Sequence, residues 1–201
     1  MIRVLLAEDE RMVREALAVL LSLEPDIAVV AEVGRGDEVV EAALRTAPDV
    51  VVLDIEIPGR DGISVAAEVG ARLPACRVLM LTTFERPGYL RRALGAGAAG
   101  FVLKSTPARE FPSVVRRTAA GERVVDPVLA AASEAEGDSP LSKAEQDVLA
   151  AAAGGADVGT IAGRLGLARS TVRNRLSSAI QKVAAHNRVQ AARIAREKGW
   201  L

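Results

Sequence analysis

Short apolar runs alternate with amphipathic segments along the first 120 residues of the chain. Apolar side chains recur at helical spacing after the first two runs, at Met12, Ala16, Val19 and Leu20 and at Val39, Val40, Ala43 and Leu44. Further helices are predicted at residues 62–72, 87–96 and 107–120. Strands that alternate with helices form parallel sheets covered by helices on both faces. The sequence therefore predicts an open α/β domain with a five-stranded, doubly wound parallel sheet. The five predicted strands are residues 2–7, 27–33, 50–53, 78–81 and 100–103.

Charge is divided unevenly along the chain, although 26 basic residues balance 26 acidic ones overall. From Ser142 onward there are ten Lys and Arg and four Asp and Glu. The first 141 residues carry sixteen basic and twenty-two acidic side chains. This split indicates two modules, of which the basic one is a candidate for nucleic-acid binding. A single cysteine excludes an intramolecular disulfide and favours a cytoplasmic location, and no segment predicts membrane insertion.

Polar side chains stand at the ends of four predicted strands. They are Glu8, Asp9 and Glu10 after the first strand, Asp54 after the third, Thr82 and Thr83 after the fourth, and Lys104 and Ser105 after the fifth. Functional groups gather at the carboxyl ends of such strands, and carboxylates at short range need a neutralising cation. Oxygen ligands at an open site favour Mg²⁺. The alternative is that these residues only solvate loops or cap helices.

Four segments, AEDE, LDIEIPGRDG, LTTF and GFVLK, resemble in the same order the signatures of the two-component receiver domain. The resemblance implies a flavodoxin-like fold in which Asp54 accepts a phosphoryl group from a histidine of a sensor kinase. It implies that Mg²⁺ is held by Glu8, Asp9, Asp54 and the backbone carbonyl of Glu56, with Glu8 acting beside Asp9 or through water. It also implies that Thr82, Phe101 and Lys104 form the switch.

The second module is predicted to be a small all-α helix-turn-helix domain. Ser142 and Glu145 fit a capping box, Asp157 caps a second helix that ends at Gly166, and two further helices follow, at 170–185 and 189–198. Residues 121–139 lack a regular apolar period. We therefore expect a receiver at 1–120, a linker at 121–139 and a DNA-binding domain at 140–201.

The third helix of this module has an apolar stripe formed by Val172, Leu176, Ala179 and Val183. Its other face is polar, and Arg and Asn can read guanine and adenine in the major groove. The predicted DNA contacts are Arg169, Thr171, Arg173, Asn174 and Ser177, with Lys182 and Arg188 on phosphates. The alternative is a helical interaction domain with a solvated basic face.

The segments LSKAEQDVLAAAAGG, TIAGRLG and STVRNRLSSAIQKV resemble the LuxR-type helix-turn-helix of NarL/FixJ response regulators. The resemblance implies base contacts from Arg173, Asn174 and Ser177 and a homodimer on double-stranded promoter DNA after phosphorylation. The chain departs from the family at Gly159 and Ala179, which we expect to weaken the small core.

Two other functions remain to be compared with this prediction. Asp54 and Glu56 superficially resemble the acid pair of aspartyl-phosphate phosphatases, although in that family the pair follows the first strand. The second alternative is a regulator that never uses phosphate, and the presence of Asp54, Thr82 and Lys104 argues against it. The predicted function is a transcription factor rather than an enzyme. Its predicted targets are membrane-lipid or stress genes.

Overall fold

The computed structural model describes residues 1–83, 87–127, 129–131 and 139–201, without the side chain of Pro87. Phe84 of the LTTF segment and most of the second half of the predicted linker lie outside these residues. The chain divides into two compact units, Met1–Glu85 with Ala93–Ala130 and Arg86–Arg92 with Ala131–Leu201. None of the described helices is long and apolar enough to cross a membrane.

The first unit is built on a parallel sheet of six strands with the order β2-β1-β3-β4-β5-β6. The strands are β1 Ile2–Ala7, β2 Ile27–Val33, β3 Val50–Asp54, β4 Arg77–Thr82, β5 Gly100–Leu103 and β6 Val124–Val125. The intervening helices are α1 Arg11–Ser22, α2 Gly36–Thr46, α3 Gly62–Arg72, α4 Pro87–Gly95 and α5 Phe111–Ala119. This architecture confirms the predicted doubly wound α/β fold.

Buried aliphatic side chains explain why these segments form central strands. Val4 and Leu6 of β1 and Val50 and Val52 of β3 are at most 2% exposed, and they pack in a cluster with Phe111 at the start of α5. Burial of each such side chain stabilises the fold by roughly 1.5–3 kcal/mol. The packed strands hold the carboxyl edge of the sheet rigidly.

The sixth strand differs from the sequence prediction, because it lies within the segment expected to be a linker. Val124 donates its N–H to the carbonyl of Ala99 at 3.3 Å, and Asp126 donates to Phe101 at 3.1 Å. Leu129 is also fully buried. A two-residue strand has no periodicity to detect. Its stability comes from hydrogen bonds to backbone groups of β5 that would otherwise be unpaired at the edge of the sheet.

The second unit contains the four predicted helices of the carboxyl-terminal segment, α6 Lys143–Ala152, α7 Val158–Leu165, α8 Arg169–Lys182 and α9 Arg188–Glu197. The Ser142–Glu145 capping box is formed, Asp157 caps α7, and Gly166 ends it with a left-handed φ of 63°. The helix α8 ends three residues earlier than predicted, at Lys182. The reason is local, since Ala184 has a positive φ of 52° that stops helical propagation.

Candidate functional site

The strand-end side chains meet at one edge of the sheet because their strands are neighbours. Glu8 follows β1, Asp54 ends β3, Thr82 ends β4 and Lys104 follows β5, in the spatial order β1-β3-β4-β5. Carboxylate oxygens of Glu8, Asp9 and Asp54 all lie within 4.8 Å of one another. Glu8 and Asp54 are buried, whereas Asp9 is exposed, so the acidic cluster opens toward solvent on one side.

Lys104 is bonded to the two buried carboxylates of this cluster. Its Nζ lies 2.7 Å from each oxygen of Glu8 and 3.1 Å from Oδ2 of Asp54, and only 12% of the side chain is exposed. Burial raises the pKa of Glu8, an effect that the Lys104 hydrogen bond opposes and the Asp54 charge reinforces. Burial alone would lower the pKa of Lys104, but its bonds to Glu8 and Asp54 outweigh that effect and raise it.

Asp54 is held in place by the backbone that follows it. The N–H of Glu56 donates to Oδ1 of Asp54 at 3.4 Å, and the N–H of Gly62 donates to the carbonyl of Ile55 at 3.0 Å. A Cβ at Gly62 would lie 2.2 Å from the backbone oxygen of Asp54. Only glycine allows α3 to begin this close to β3, so the aspartate sits on a rigid support.

The acidic loop is also supported by Arg14, which sequence reasoning missed. Its guanidinium donates to the backbone carbonyl of Glu8 and lies 3.5 Å from that of Asp9. The side chain is only 18% exposed. Arg14 is the fourth residue of an amphipathic helix, a position at which an arginine is usually a surface charge. Only the fold shows that its side chain turns back over the loop of Glu8 and Asp9.

The described residues fit a divalent cation at this edge. All donors in the cluster are carboxylate oxygens, which are the ligands that hard cations prefer. Oε2 of Glu8 is buried, and its contact with the Lys104 ammonium at 2.7 Å does not have the geometry of a hydrogen bond. An added cation would neutralise a cluster of three carboxylates that Lys104 compensates only in part.

The two other predicted switch residues are completely buried. Thr82 and Phe101 are both 0% exposed. Phe101 on β5 pairs in register with Met80 of β4 and Val125 of β6. The backbone N–H of Lys104 donates to the carbonyl of Thr82 at 2.7 Å. Thr82 and Lys104 are therefore linked directly through the backbone at the ends of β4 and β5.

The helix α8 has the two faces that the sequence predicts. The stripe of Val172, Leu176, Ala179 and Val183 is at most 8% exposed and belongs to the core of the second unit. The opposite face is solvated, with Arg169, Arg173, Asn174 and Ser177 exposed and Thr171 half-buried. Such a helix can present polar side chains to a DNA groove while its apolar stripe anchors it.

The two predicted phosphate contacts have partners within the second unit. Nζ of Lys182 lies 2.8 Å from Oε2 of Glu145, and Arg188 donates to the carbonyl of Ala156 at 2.8 Å. Ala179 is fully buried, while Gly159 lies beside the guanidinium of Arg169, where a Cβ would come within 3.0 Å of it. The glycine thus gives room to Arg169.

Comparison with protein families defines the class of protein. Residues 4–116 match the response regulator receiver domain, and residues 139–195 match the bacterial regulatory proteins of the luxR family. The chain therefore belongs to the response regulators that join a receiver domain to a LuxR-type DNA-binding domain. This family consists of transcriptional regulators and not of classical enzymes.

Individual relatives agree with this assignment over the full chain. The uncharacterized transcriptional regulatory protein YvfU of Bacillus subtilis is 42% identical over 100% of both chains. The transcriptional regulatory protein DesR of the same organism is 38% identical over 100% of both chains. The RcsB response regulator of Salmonella typhimurium has the same fold, with a TM-score of 0.67 at 22% identity over 96% of this chain and 98% of that one.

Proposed function

We propose that this response regulator is switched by phosphorylation of Asp54, with a histidine of a sensor kinase as donor. The observation that supports this most directly is the bonding of Lys104 to both Asp54 and Glu8. The carboxyl edge of the sheet thus brings together the buried carboxylate of Asp54, the ammonium of Lys104 and two further acids, Glu8 and Asp9. That is the set of charges that phosphoryl transfer to an aspartate requires.

The reaction forms one bond and breaks one. An oxygen of the Asp54 carboxylate attacks phosphorus in line, and the bond from phosphorus to the donor nitrogen breaks, leaving its electrons on the histidine. Lys104 already lies within hydrogen-bonding distance of Asp54 and follows the charge onto the phosphoryl oxygens. Mg²⁺ held by Glu8, Asp9, Asp54 and the carbonyl of Glu56 would supply further neutralisation of those oxygens. Hydrolysis at the same site gives slow self-dephosphorylation.

The signal then passes to the sheet. The hydroxyl of Thr82 hydrogen-bonds a phosphoryl oxygen, and the space that Thr82 leaves is available to Phe101. Both side chains are buried, so a change in one has to be accommodated by packing of the other. This is a two-state packing switch biased by a local charge event.

The output is binding of double-stranded promoter DNA by a homodimer. Arg169, Thr171, Arg173, Asn174 and Ser177 lie on the solvated side of α8 and contact DNA, with Arg188 against a phosphate. Lys182 is the exception, because its ammonium is bonded to Glu145. Two linked recognition helices bind far more tightly than one through effective concentration.

A second copy of the chain is the partner that best fits the exposed face of α1. Met12 and Val19 of α1 and Leu23, the residue that follows it, are 80%, 62% and 75% exposed, which is unusual for neighbouring large apolar side chains. The adjacent ion pair of Arg11 with Glu15 supplies both signs of charge, as a self-complementary interface requires.

Leu23→Asp should prevent dimerisation. Leu44→Asp on α2, where leucine is 40% exposed, is the matched control and should leave dimerisation unchanged.

The test is phosphorylation of the purified full chain by acetyl phosphate with Mg²⁺. Intact mass should show one added phosphoryl group, absent in Asp54→Asn and without Mg²⁺. Light scattering of the same samples should show dimers only where the mass increases. No added mass, repeated with a sensor kinase as donor, would contradict the proposal and favour a regulator that does not use phosphate. The cytoplasmic location and the set of target genes stay predictions.

A further inference from the structure

Glu145 makes more bonds than its capping role in α6 requires. The carboxylate accepts from the N–H and the hydroxyl of Ser142 at 2.7 and 2.9 Å, which completes the capping box. It also accepts from the hydroxyl of Ser178 at 2.6 Å and from Nζ of Lys182 at 2.8 Å. The residue is only 6% exposed. A single carboxylate therefore joins the start of α6 to the second half of α8.

The position of the two bonds on α8 gives them a specific consequence. Ser178 and Lys182 are four residues apart, so they lie one turn apart on the same side of the helix. Two attachment points along one line fix both the rotation of α8 about its axis and its position along that axis. Reading of base edges depends on that placement, since hydrogen-bond geometry tolerates only small displacements.

The apolar packing around α8 does not fix its rotation as strictly. Six of the thirteen buried residues in the core of the second unit are alanines, beside branched side chains such as Val172 and Leu176 of α8. Alanine side chains fill space but interlock less than branched ones do, so this part of the core resists rotation of α8 only weakly. A polar bond between α6 and α8 adds a directional constraint.

We propose that Glu145 is a positioning residue for DNA recognition, which holds α8 in register through Ser178 and Lys182, and that Lys182 does not neutralise a DNA phosphate. This inference rests on the proposed binding of DNA by α8. It assigns the charge of Lys182, whose side chain is 41% exposed, to the ion pair with the buried carboxylate of Glu145. The charge therefore stays with Glu145 when the protein is on DNA.

The salt dependence of DNA binding tests the assignment of Lys182. The full chain is titrated by fluorescence anisotropy with a labelled duplex that the wild type selects from a random pool, over a range of KCl concentrations. The slope of log K against log salt is negative, and each lost phosphate contact lowers its magnitude by about one. Lys182→Met should weaken binding equally at every salt concentration and keep the wild-type slope. Arg169→Met, which removes an exposed guanidinium, is the control for a lost contact.

Selectivity tests the positioning role of Glu145. Glu145→Gln keeps the size of the side chain but releases Lys182. Binding of the selected duplex should weaken about tenfold, whereas binding of a shuffled duplex of equal length should not weaken. The magnitude of the salt slope should rise by about one as Lys182 becomes available to phosphates. Adding Lys182→Met should reverse that rise without restoring selectivity.

The outcomes separate this inference from the function on which it rests. If the wild type selects no duplex, DNA binding itself fails. Two outcomes with a wild type that binds would overturn only the inference about Glu145 and Lys182. One is that Lys182→Met lowers the magnitude of the salt slope by about one, and the other is that Glu145→Gln weakens binding of both duplexes equally. Should Glu145→Gln not fold by circular dichroism, Ser178→Ala removes one of the two bonds and is measured against the same two duplexes.

Discussion

The backbone N–H of Asp126 donates to the carbonyl oxygen of Phe101 at 3.1 Å. The segment that leaves α5 is thereby part of the sheet, paired with the strand that carries Phe101 and ends just before Lys104. These hydrogen bonds connect β5 directly to the residues that follow α5. Within the segment expected to be a linker, Val124 and Val125 thus form a strand that pairs with the strand of Phe101.

Hydrogen exchange should detect this pairing residue by residue. The amides of Val124 and Asp126 point at β5 and should exchange about a hundredfold more slowly than that of Val125, whose N–H points away from it. NMR exchange rates at neutral pH measure this directly. Equal, fast exchange at all three positions would mean that the strand does not form in solution.

Removal of Lys104 should strengthen cation binding. In Lys104→Met the carboxylates of Glu8 and Asp54 lose their shared ammonium, and their mutual repulsion makes a divalent cation more favourable. The dissociation constant for Mg²⁺, measured by titration calorimetry, should fall about tenfold. Lys143→Met, which removes an exposed lysine from the second unit, should leave it unchanged. Weaker Mg²⁺ binding in Lys104→Met would show that the lysine assists the cation.

Two alanine substitutions in α3 should have opposite effects. Gly62→Ala would place a Cβ 2.2 Å from the backbone oxygen of Asp54 and should lower the free energy of unfolding by about 3 kcal/mol, with slower phosphorylation. Gly70→Ala, where the Cβ meets nothing within 4 Å, should raise the free energy of unfolding by about 0.5–1 kcal/mol. Urea titration and intact mass measure both effects, and similar losses in both variants would contradict the packing argument.

Acid should selectively remove the contribution of Glu145. The ammonium of Lys182, and then the hydroxyl of Ser178, lowers the pKa of Glu145 from 4.5 to about 2. Because the pKa is lowered on folding, the stabilisation is complete above pH 4.5 and decreases as the pH falls toward 2. The difference in unfolding free energy between the wild type and Glu145→Gln should therefore shrink by about 2 kcal/mol between pH 7 and pH 3. A pH-independent difference would rule out this linkage.

Local sequence was sufficient for most of the helices and strands. The strands β1 and β3 are continuous apolar runs, and the start of α6 and both ends of α7 are marked by capping residues. These signals act within a few residues of chain, so they survive in the sequence. The chain order of the polar strand ends then placed Glu8, Asp54 and Lys104 at one edge, since parallel strands share a carboxyl end.

Only the tertiary structure decided which of these groups bond to each other. Lys104 and Glu8 are 96 residues apart in the chain, and Lys182 and Glu145 are 37 apart. No periodicity connects such pairs, because they meet only after the strands and helices have packed. The same holds for Arg14, whose guanidinium turns back over the acidic loop, and for β6, which is too short to have a pattern and exists because the edge of β5 pairs with it.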